Sequence, residues 1–344
     1  MFNRLIFMAW LIVLSTVTNS FAGKGGGDAY AFLKAGVGAR AMAMGGAFVA
    51  LAEDGDAAYW NPAGLGLMSE EKGKRGIDIS SAFGSNEEIG RKYYYLGYTS
   101  SVNILKKNRE GMGIGLISMT VGGIERWQPS SQGGFPIPQG SFDDAERAII
   151  IAYGNEILPG LFCVGSNLKI ITHNMDNHSA SGIGVDIGLL ADISAIFYRK
   201  ERAILGILEG VKAGMVVRNN LGKKWDSGHI DDGMLSGELG MTGNILWKNK
   251  QMGRLNLTLS QEKGRTMSLS SGVEIDVLKN ISIRGGINRW YLEARESGLD
   301  AERLNYGQRL CAGIGYKFRK TQIDYALALG RLETQHQMSA KIGF

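Results

Sequence analysis

The sequence predicts an all-β fold: a transmembrane antiparallel β-barrel of about 14 strands that holds its own N-terminal segment as a plug inside the lumen. Three observations lead to this prediction: an N-terminus typical of exported proteins, a long region in which apolar residues alternate with small or polar ones, and a C-terminal aromatic residue. The mean hydropathy of −0.06 agrees with a barrel, because its lipid-facing and lumen-facing residues average out.

Residues 1–22 have the pattern of a cleaved signal peptide. Arg4 precedes an apolar run from Leu5 to Leu14, and the small-residue pattern ending at Ala22 marks the expected cleavage site. The run has about half of the roughly 20 apolar residues that a spanning helix needs, and no later run is long enough. We therefore expect export to the outer membrane of a Gram-negative-type bacterium.

Residues 23–75 are predicted to form the plug. The stretch 31–68 is rich in Ala, Gly and Met and lacks the alternation of a lipid-facing strand. Asp56 is expected to cap a short helix, and Pro62 to end that helix after about one turn. The residues expected to wedge this segment against the wall or to contact a ligand are Phe48, Tyr59, Trp60, Asn61 and Pro62.

Residues 76–344 are predicted to form the barrel, because segments of period-2 alternation recur between turns. In Gln322–Leu329, for example, Ile323, Tyr325 and Leu327 alternate with polar or small residues. Fourteen such segments can be counted, near 76–83, 92–102, 111–121, 147–157, 161–173, 182–194, 211–219, 234–247, 254–261, 267–276, 281–290, 309–319, 321–329 and 334–344. The even number and the segment lengths fit strands that cross a bilayer, so outer-membrane lipid is an expected partner.

The longest connections, 122–146, 221–233 and 291–308, all follow odd-numbered strands, which places them on one side as outer loops. The connection 194–210 is the exception, a long inner one. Within 122–146, Trp127, Phe135 and Ile137 are apolar residues on a long loop. They form either a contact surface for a ligand or protein, or an apolar cap over the barrel mouth.

The C-terminus ends on Phe344, with Ile342 in the same phase of the alternation. This pattern resembles the C-terminal signal that the barrel assembly machinery reads on the last strand of outer-membrane barrels. The assembly machinery is therefore an expected partner.

Two motifs near the start of the mature chain resemble a known family. The run 36–48 reads GVGARAMAMGGAF, and after Asp54 the run 58–65 reads AYWNPAGL. Together they resemble the N-terminal signature of the PorV/PorQ group of FadL-like outer-membrane barrels, whose FadL-type relatives share the Asn-Pro-Ala element. The resemblance implies a 14-stranded barrel with an N-terminal hatch.

The resemblance also implies two alternative functions. FadL-type proteins transport long-chain fatty acids and other hydrophobic compounds, which requires an apolar pocket beside the plug and a gap in the wall. Proteins of the PorV branch serve the type IX secretion system as an outer-membrane component or shuttle, with secretion-system proteins as partners. A structural barrel without cargo is a third possibility.

No enzyme activity, cofactor, metal or nucleic-acid partner is predicted. The net charge of +5 comes from scattered basic residues, which is not the pattern of a nucleic-acid surface. His173 and His178 are expected to be solvated loop residues, and the acidic run 53–56 to cap and bend the chain rather than to bind calcium. His178-Ser179 has no marked acid partner or oxyanion donor.

Charged residues on the inward phase of the strands are expected to form an ion-pair network that holds the plug; a charged translocation path is the alternative. Cys163 and Cys311 also fall on the inward phase and are expected to be isolated small residues. The charged set is Lys169, Asp186, Asp192, Lys212, Arg218, Glu274, Arg284, Arg309, Lys317 and Arg319.

Overall fold

The structure is a computed structural model that describes residues 30–52, 54–68, 75–84, 91–105, 108–130, 134–197, 203–204, 208–248, 250–263, 266–292, 308–331 and 334–343. The predicted signal peptide, 1–22, lies outside the described residues. Glu53 and Phe344 lie outside them as well.

Fourteen long antiparallel strands form the barrel, as the alternation predicts. They are β1 (Arg75–Gly84), β2 (Arg91–Val102), β3 (Glu110–Gln128), β4 (Ile137–Leu158), β5 (Phe162–Met175), β6 (His178–Asp192), β8 (Leu208–Asn220), β11 (Met234–Trp247), β12 (Lys250–Glu262), β13 (Ser268–Leu278), β14 (Ile281–Tyr291), β15 (Arg309–Phe318), β16 (Thr321–Gly330) and β17 (Thr334–Gly343). Three short strands, β7 (Ala203–Ile204), β9 (Lys223–Trp225) and β10 (Ile230–Asp231), lie in the connections. Because β1 pairs with both β2 and β17, the sheet closes, and the predicted 14-stranded barrel is confirmed.

The two faces of the strands differ in chemistry. Large apolar side chains are exposed on the outer face, where a lipid-facing surface is expected, and they include Tyr94, Leu96, Ile114, Leu116, Ile149, Ile151, Leu168, Ile170, Ile183, Val185, Ile187, Ile314 and Ile323. The residues between them point into the barrel and are buried, among them Asn167, Lys169, Asp186, Arg218, Glu274, Arg284 and Asp324.

The predicted long loop 122–146 is mostly strand, which corrects the sequence-based boundary. The β2–β3 ladder ends at Arg91↔Val121 and the β4–β5 ladder at Asp144↔Met175, but β3 and β4 continue to pair with each other. Their extension runs seven residues past Val121, which corresponds to about 23 Å of extended chain. It contains the pair Trp127↔Pro138, so Pro138 lies in a strand, near the end of a two-stranded hairpin where a lost backbone donor is tolerated.

The long inner connection, 194–210, contains regular structure. A helix covers Ile193–Phe197, and the Asp192 carboxylate accepts a hydrogen bond from the amide of Ala195 at 2.8 Å. The short β7 then pairs with the beginning of β8. None of the helices in the described part of the chain is long and apolar enough to cross a membrane.

We call residues 30–52 and 54–68 the inner segment. It contains two short α-helices and two 3₁₀ helices, at Ala39–Ala43, Ala57–Trp60, Ala31–Lys34 and Pro62–Leu67. Most of its apolar side chains form a buried cluster with inward-facing residues of the wall, which include Tyr95, Ile117, Ile150 and Ile171. Ala63 belongs to a second, smaller cluster with Cys163 and Leu190. The core of this protein therefore lies within the ring of strands, around the inner segment.

Candidate functional site

Asn61 and Pro62 join the two helical turns in the second half of the inner segment. Asn61 is 0% exposed, and its side-chain amide donates to the carbonyl oxygens of Val49 (2.8 Å) and of Leu189 on β6 (3.1 Å). Its side-chain oxygen accepts from the amide of Ala63 at 3.1 Å, which caps the 3₁₀ helix that Pro62 begins. Pro62 therefore both ends one helix and starts the next.

Phe48, Tyr59 and Trp60 lie together inside the barrel. The rings of Tyr59 and Trp60 meet edge to face at 5.0 Å, and the rings of Phe48 and Trp60 lie 6.0 Å apart. The Trp60 indole donates to the carbonyl oxygen of Val37 at 3.0 Å. Arg218 of β8 donates to the carbonyl oxygens of Tyr59 (2.8 Å) and Trp60 (3.0 Å), which ties the end of this helix to the wall.

Asp56 does not cap the helix that follows it, which corrects the predicted role. No hydrogen bond joins its side chain to the helix; instead, Lys341 of β17 binds the carboxylates of Asp56 (2.6 Å) and Asp54 (2.9 Å). Arg40 is also within 3.8 Å of Asp54. The strand that closes the barrel therefore contacts the acidic run of the inner segment directly.

Arg40 binds the wall through a second ion pair. Its guanidinium donates to both carboxylate oxygens of Glu274 on β13, at 2.7 and 2.8 Å. Glu274 also accepts from Arg284 at 2.6 Å, and Arg284 donates to Asp324 at 2.7 Å. These buried side chains form the kind of network expected to hold the segment.

Inward-facing glycines let the inner segment approach the wall closely. A Cβ atom on Gly165 of β5 would lie 2.3 Å from the carbonyl carbon of Pro62. A Cβ atom on Gly286 of β14 would lie 2.5 Å from the amide nitrogen of Gly45. Real Cβ atoms do not approach backbone atoms this closely, so at these positions the chain needs residues without side chains.

A cavity of about 160 Å³ lies between the inner segment and the strands β5, β8 and β11 to β15. Trp60, Met42, Leu33 and Met234 form its apolar part. The rest of its wall is polar, with several serines, Asn220, Glu238, Glu262 and basic side chains. The sequence-based transport hypothesis required an apolar pocket, and the pocket found here is mixed.

The wall next to the cavity is paired but irregular. Leu269 pairs with Trp290 and Ser271 pairs with Ile287, so Asn288 and Arg289 form a bulge in β14. The side-chain amide of Asn288 donates to the carbonyl oxygen of Gly45 at 2.7 Å. Over the described strands the neighbours in the ring are all paired, so the gap in the wall that the transport hypothesis required is not seen there.

His173 is buried rather than solvated, because it lies on the inner face of β5 among charged groups from the adjacent β4 and from β9. Its Nε2 atom is 2.5 Å from the carboxylate of Asp144, and its Nδ1 atom is 2.6 Å from the Lys223 ammonium. Lys223 also contacts Glu146 at 3.4 Å and lies over the ring of Tyr30. Sequence reasoning missed this cluster because its members are far apart along the chain.

Other predicted sites lie on the outside. Trp127, Phe135 and Ile137 on the β3–β4 hairpin are 53%, 93% and 51% exposed, so they are accessible to solvent. Ile342 is exposed on the outer face of β17. Cys163 and Cys311, by contrast, are buried, and they do not form a disulfide.

His178 has an acid partner that the sequence did not indicate. Its Nδ1 atom lies 3.3 Å from the carboxylate of Asp226, which also accepts from the backbone amide of Ser179 at 3.0 Å. The His178 side chain is exposed. Within the parts of the chain that the structure describes, no group of three or more His, Cys, Asp or Glu side chains is arranged to hold a metal ion.

Known proteins resemble this chain in structure rather than in sequence. No protein family model matches the sequence, and no curated protein matches it. The Pseudomonas putida toluene transporter TodX has a TM-score of 0.54 and 11% identity, over 90% of this chain and 97% of TodX. The Ralstonia pickettii toluene transporter TbuX has a TM-score of 0.52 and 14% identity, over 90% and 97% of the two chains. The CymD monoaromatic hydrocarbon channel has a TM-score of 0.51 and 12% identity, over 90% and 96%.

At these identities the similarity concerns the fold. It extends over nine tenths of this chain and nearly all of each transporter, so it includes the strands of the wall as a whole. The chain is therefore a closed 14-stranded barrel with the fold of these transporters, and the FadL-like fold expected from the sequence is confirmed.

Proposed function

We propose that this chain is an outer-membrane β-barrel that binds or passes hydrophobic small molecules. The observation that carries the proposal is the cavity beside Trp60, which lies inside a closed barrel with an apolar outer face. The similarly folded TbuX and TodX are toluene transporters, and CymD is a monoaromatic hydrocarbon channel. The proposal assigns small hydrophobic cargo to this chain because the chain has the same fold as these three proteins.

The size of the cavity supports a small cargo. Its volume of about 160 Å³ is close to the roughly 150 Å³ of an engineered protein cavity that binds benzene. A single ring could lie against the apolar part of the wall, which includes Trp60 and Met234. The pocket is too small for a long alkyl chain in this conformation.

We propose that the inner segment acts as the hatch of the barrel. It is bonded to β6 through Asn61, to β8 through Arg218 and to β13 through Arg40. Passage of a molecule through the lumen therefore requires part of this segment to move.

Uptake of labelled toluene and of a labelled fatty acid, by cells with and without the gene, tests the proposal. Ser236 on β11 lines the cavity, whereas the neighbouring Leu235 lies on the opposite phase of the strand. We expect Ser236→Trp to fill the cavity and lower uptake, and the matched variant Leu235→Trp to leave it unchanged. Uptake that is independent of the gene, with the folded barrel present in the outer membrane, would contradict the proposal.

The β3–β4 hairpin favours a second candidate function, that of a PorV/PorQ-type component or shuttle of the type IX secretion system. Phe135, at 93% exposure, lies at the end of a hairpin that projects beyond the neighbouring strands. Exposed apolar residues of this kind suit a protein partner. Co-purification of secretion-system proteins with the wild type, and not with the variant Phe135→Ser, would support this role.

We also propose that residues 1–22 direct export and that the last strand, through Ile342 and Phe344, is read by the barrel assembly machinery. The support is the closure of the ring by β17, which pairs with β1 and β16.

A further inference from the structure

The cavity beside Trp60 has an excess of positive charge. Five basic residues line it, Lys34, Lys169, Arg218, Arg289 and Arg309, against the two acidic residues Glu238 and Glu262. Among them, Lys169 pairs with Asp186, Arg218 with Glu238, and Lys34 with Glu262. Even with Asp186 included, the charges of this group sum to +2, from five positive and three negative residues.

Arg289 is a cation in this group whose N–H donors are largely unused by the described residues. Its guanidinium makes one long hydrogen bond, of 3.4 Å, to the carbonyl oxygen of Lys34. Among the described residues no carboxylate lies within ion-pair distance of it. A guanidinium has five N–H donors in a planar fork that matches the two oxygens of a carboxylate.

The backbone holds Arg289 in an uncommon conformation. Its φ of 54° lies in the left-handed region, which few non-glycine residues adopt. The bulge in β14 produces this conformation, and the hydroxyl of Ser270 accepts a 3.0 Å hydrogen bond from the Arg289 amide. Outliers of this kind concentrate at functional sites because the surrounding structure must maintain them.

Asn220 provides an independent indication of an occupant. It is 0% exposed and lines the same cavity, yet neither its side-chain nitrogen nor its side-chain oxygen has a hydrogen-bond partner. Leaving both atoms of a buried amide unpaired is unfavourable, and buried polar groups are rarely found this way. A polar group in the cavity would satisfy them.

We propose that the cavity binds a small aromatic carboxylate that carries a hydroxyl group. Arg289 binds the carboxylate, Asn220 hydrogen-bonds the hydroxyl, and Trp60 packs against the ring. The volume of the cavity fits one ring, and its mixed wall fits a molecule with an apolar body and polar ends. The inference rests on the proposed function and narrows its cargo from hydrophobic compounds in general to single-ring acids.

Binding of benzoate, 4-hydroxybenzoate and toluene to the purified full-length barrel in detergent, measured by calorimetry, tests the inference. We expect 4-hydroxybenzoate to bind more tightly than benzoate, and benzoate more tightly than toluene. Arg289→Gln should weaken binding of both acids by at least about tenfold and leave toluene unaffected. Asn220→Leu should remove the advantage of 4-hydroxybenzoate over benzoate.

Arg319→Gln is the matched control, because Arg319 also has a φ of 54° but lies in the β15–β16 turn, outside the cavity. Equal effects of Arg289→Gln and Arg319→Gln, or acids that bind no better than toluene, would overturn the inference. In either case toluene binding and gene-dependent uptake would still support the proposed function. If none of the three compounds binds and uptake is independent of the gene, the proposed function fails as well.

Discussion

Arg40 in the inner segment and Glu274 in the wall form a two-pronged ion pair, with both guanidinium–carboxylate distances below 3 Å and both side chains buried. Glu274 also binds Arg284, so Glu274 is shared by two cations. Substituting Glu274 and substituting Arg40 should therefore have different effects. Removing Glu274 leaves two buried cations without their shared partner, whereas removing Arg40 leaves Glu274 still paired.

We therefore expect Glu274→Gln to lower the free energy of unfolding by about 3–5 kcal/mol, and Arg40→Met to lower it by less. Urea unfolding of the detergent-solubilised barrel, followed by tryptophan fluorescence, measures both. Lys250→Met, at an exposed strand end, serves as the control. Equal losses of unfolding free energy for Glu274→Gln and Arg40→Met would contradict the idea that sharing of Glu274 by two cations determines the loss.

The neighbouring glycines of β14 offer a test of how closely the inner segment packs. A Cβ atom on Gly286 would meet the backbone of Gly45, whereas the nearest atom to a Cβ on Gly285 is 4.0 Å away. We expect Gly286→Ala to destabilise the barrel by about 1–3 kcal/mol through overpacking, and Gly285→Ala to have little effect. The difference in stability can be measured as the heating temperature at which the folded band shifts to the unfolded position on an SDS gel. A lower transition temperature for Gly285→Ala than for Gly286→Ala would contradict the close packing at Gly286.

The end of the β3–β4 hairpin should be dispensable for folding. From Ile124 to Gln128 the strand β3 pairs only with β4, so replacing residues 124–142 by a short glycine-containing turn removes no backbone pairing with another strand. It does remove the solvent-exposed ion pair between Arg126 and Asp176 of the β5–β6 turn, and exposed pairs contribute little stability. We expect the free energy of unfolding to change by less than about 1 kcal/mol. If the shortened protein fails to reach the membrane in folded form, the hairpin has a role in assembly.

Asp226, in the loop between β9 and β10, has a pKa that is lowered by contacts in the folded protein. The backbone amide of Ser179, followed by the side chain of His178, holds the pKa of the Asp226 carboxyl below its usual value. Because the folded pKa is depressed, this contact stabilises the loop above the unfolded-state pKa, and the stabilisation is lost as the pH falls through the folded pKa.

Carbon-13 NMR of the Asp226 carboxyl group should give a titration midpoint below the ordinary aspartate value of about 3.9. His178→Ala should leave most of the depression in place, because the Ser179 amide is its largest cause. A midpoint that returns to the ordinary value in His178→Ala would show that the histidine dominates instead.

The strands of the barrel could be predicted because residue type alternates with the surroundings: apolar residues face lipid, and small or polar residues face the protein interior. This alternation is absent beyond the membrane, where both faces of a hairpin are solvated. Trp127 and Pro138 are paired there, but no apolar alternation marks the strand. The end of β3 was therefore missed.

The site could be predicted only where its contacts are local. Asn61 and Pro62 act on their own neighbours, so the helix boundary was correct. Asp56 was assigned to the adjacent helix, but Lys341, 285 residues away in the sequence, binds its carboxylate. The bulge at Arg289 could likewise not be predicted from the sequence, because it depends on the register between β13 and β14.

The distance along the chain between the inner segment and its partners has a consequence for the order of folding. The amide of Ala39 bonds to Ser339 across 300 residues, and Asp56 to Lys341 across 285. The inner segment is synthesised early, but its contacts with β17 can form only after this last strand has been synthesised. Contacts at such separations contribute stability only after the intervening chain is ordered, so the barrel is expected to mature late and cooperatively.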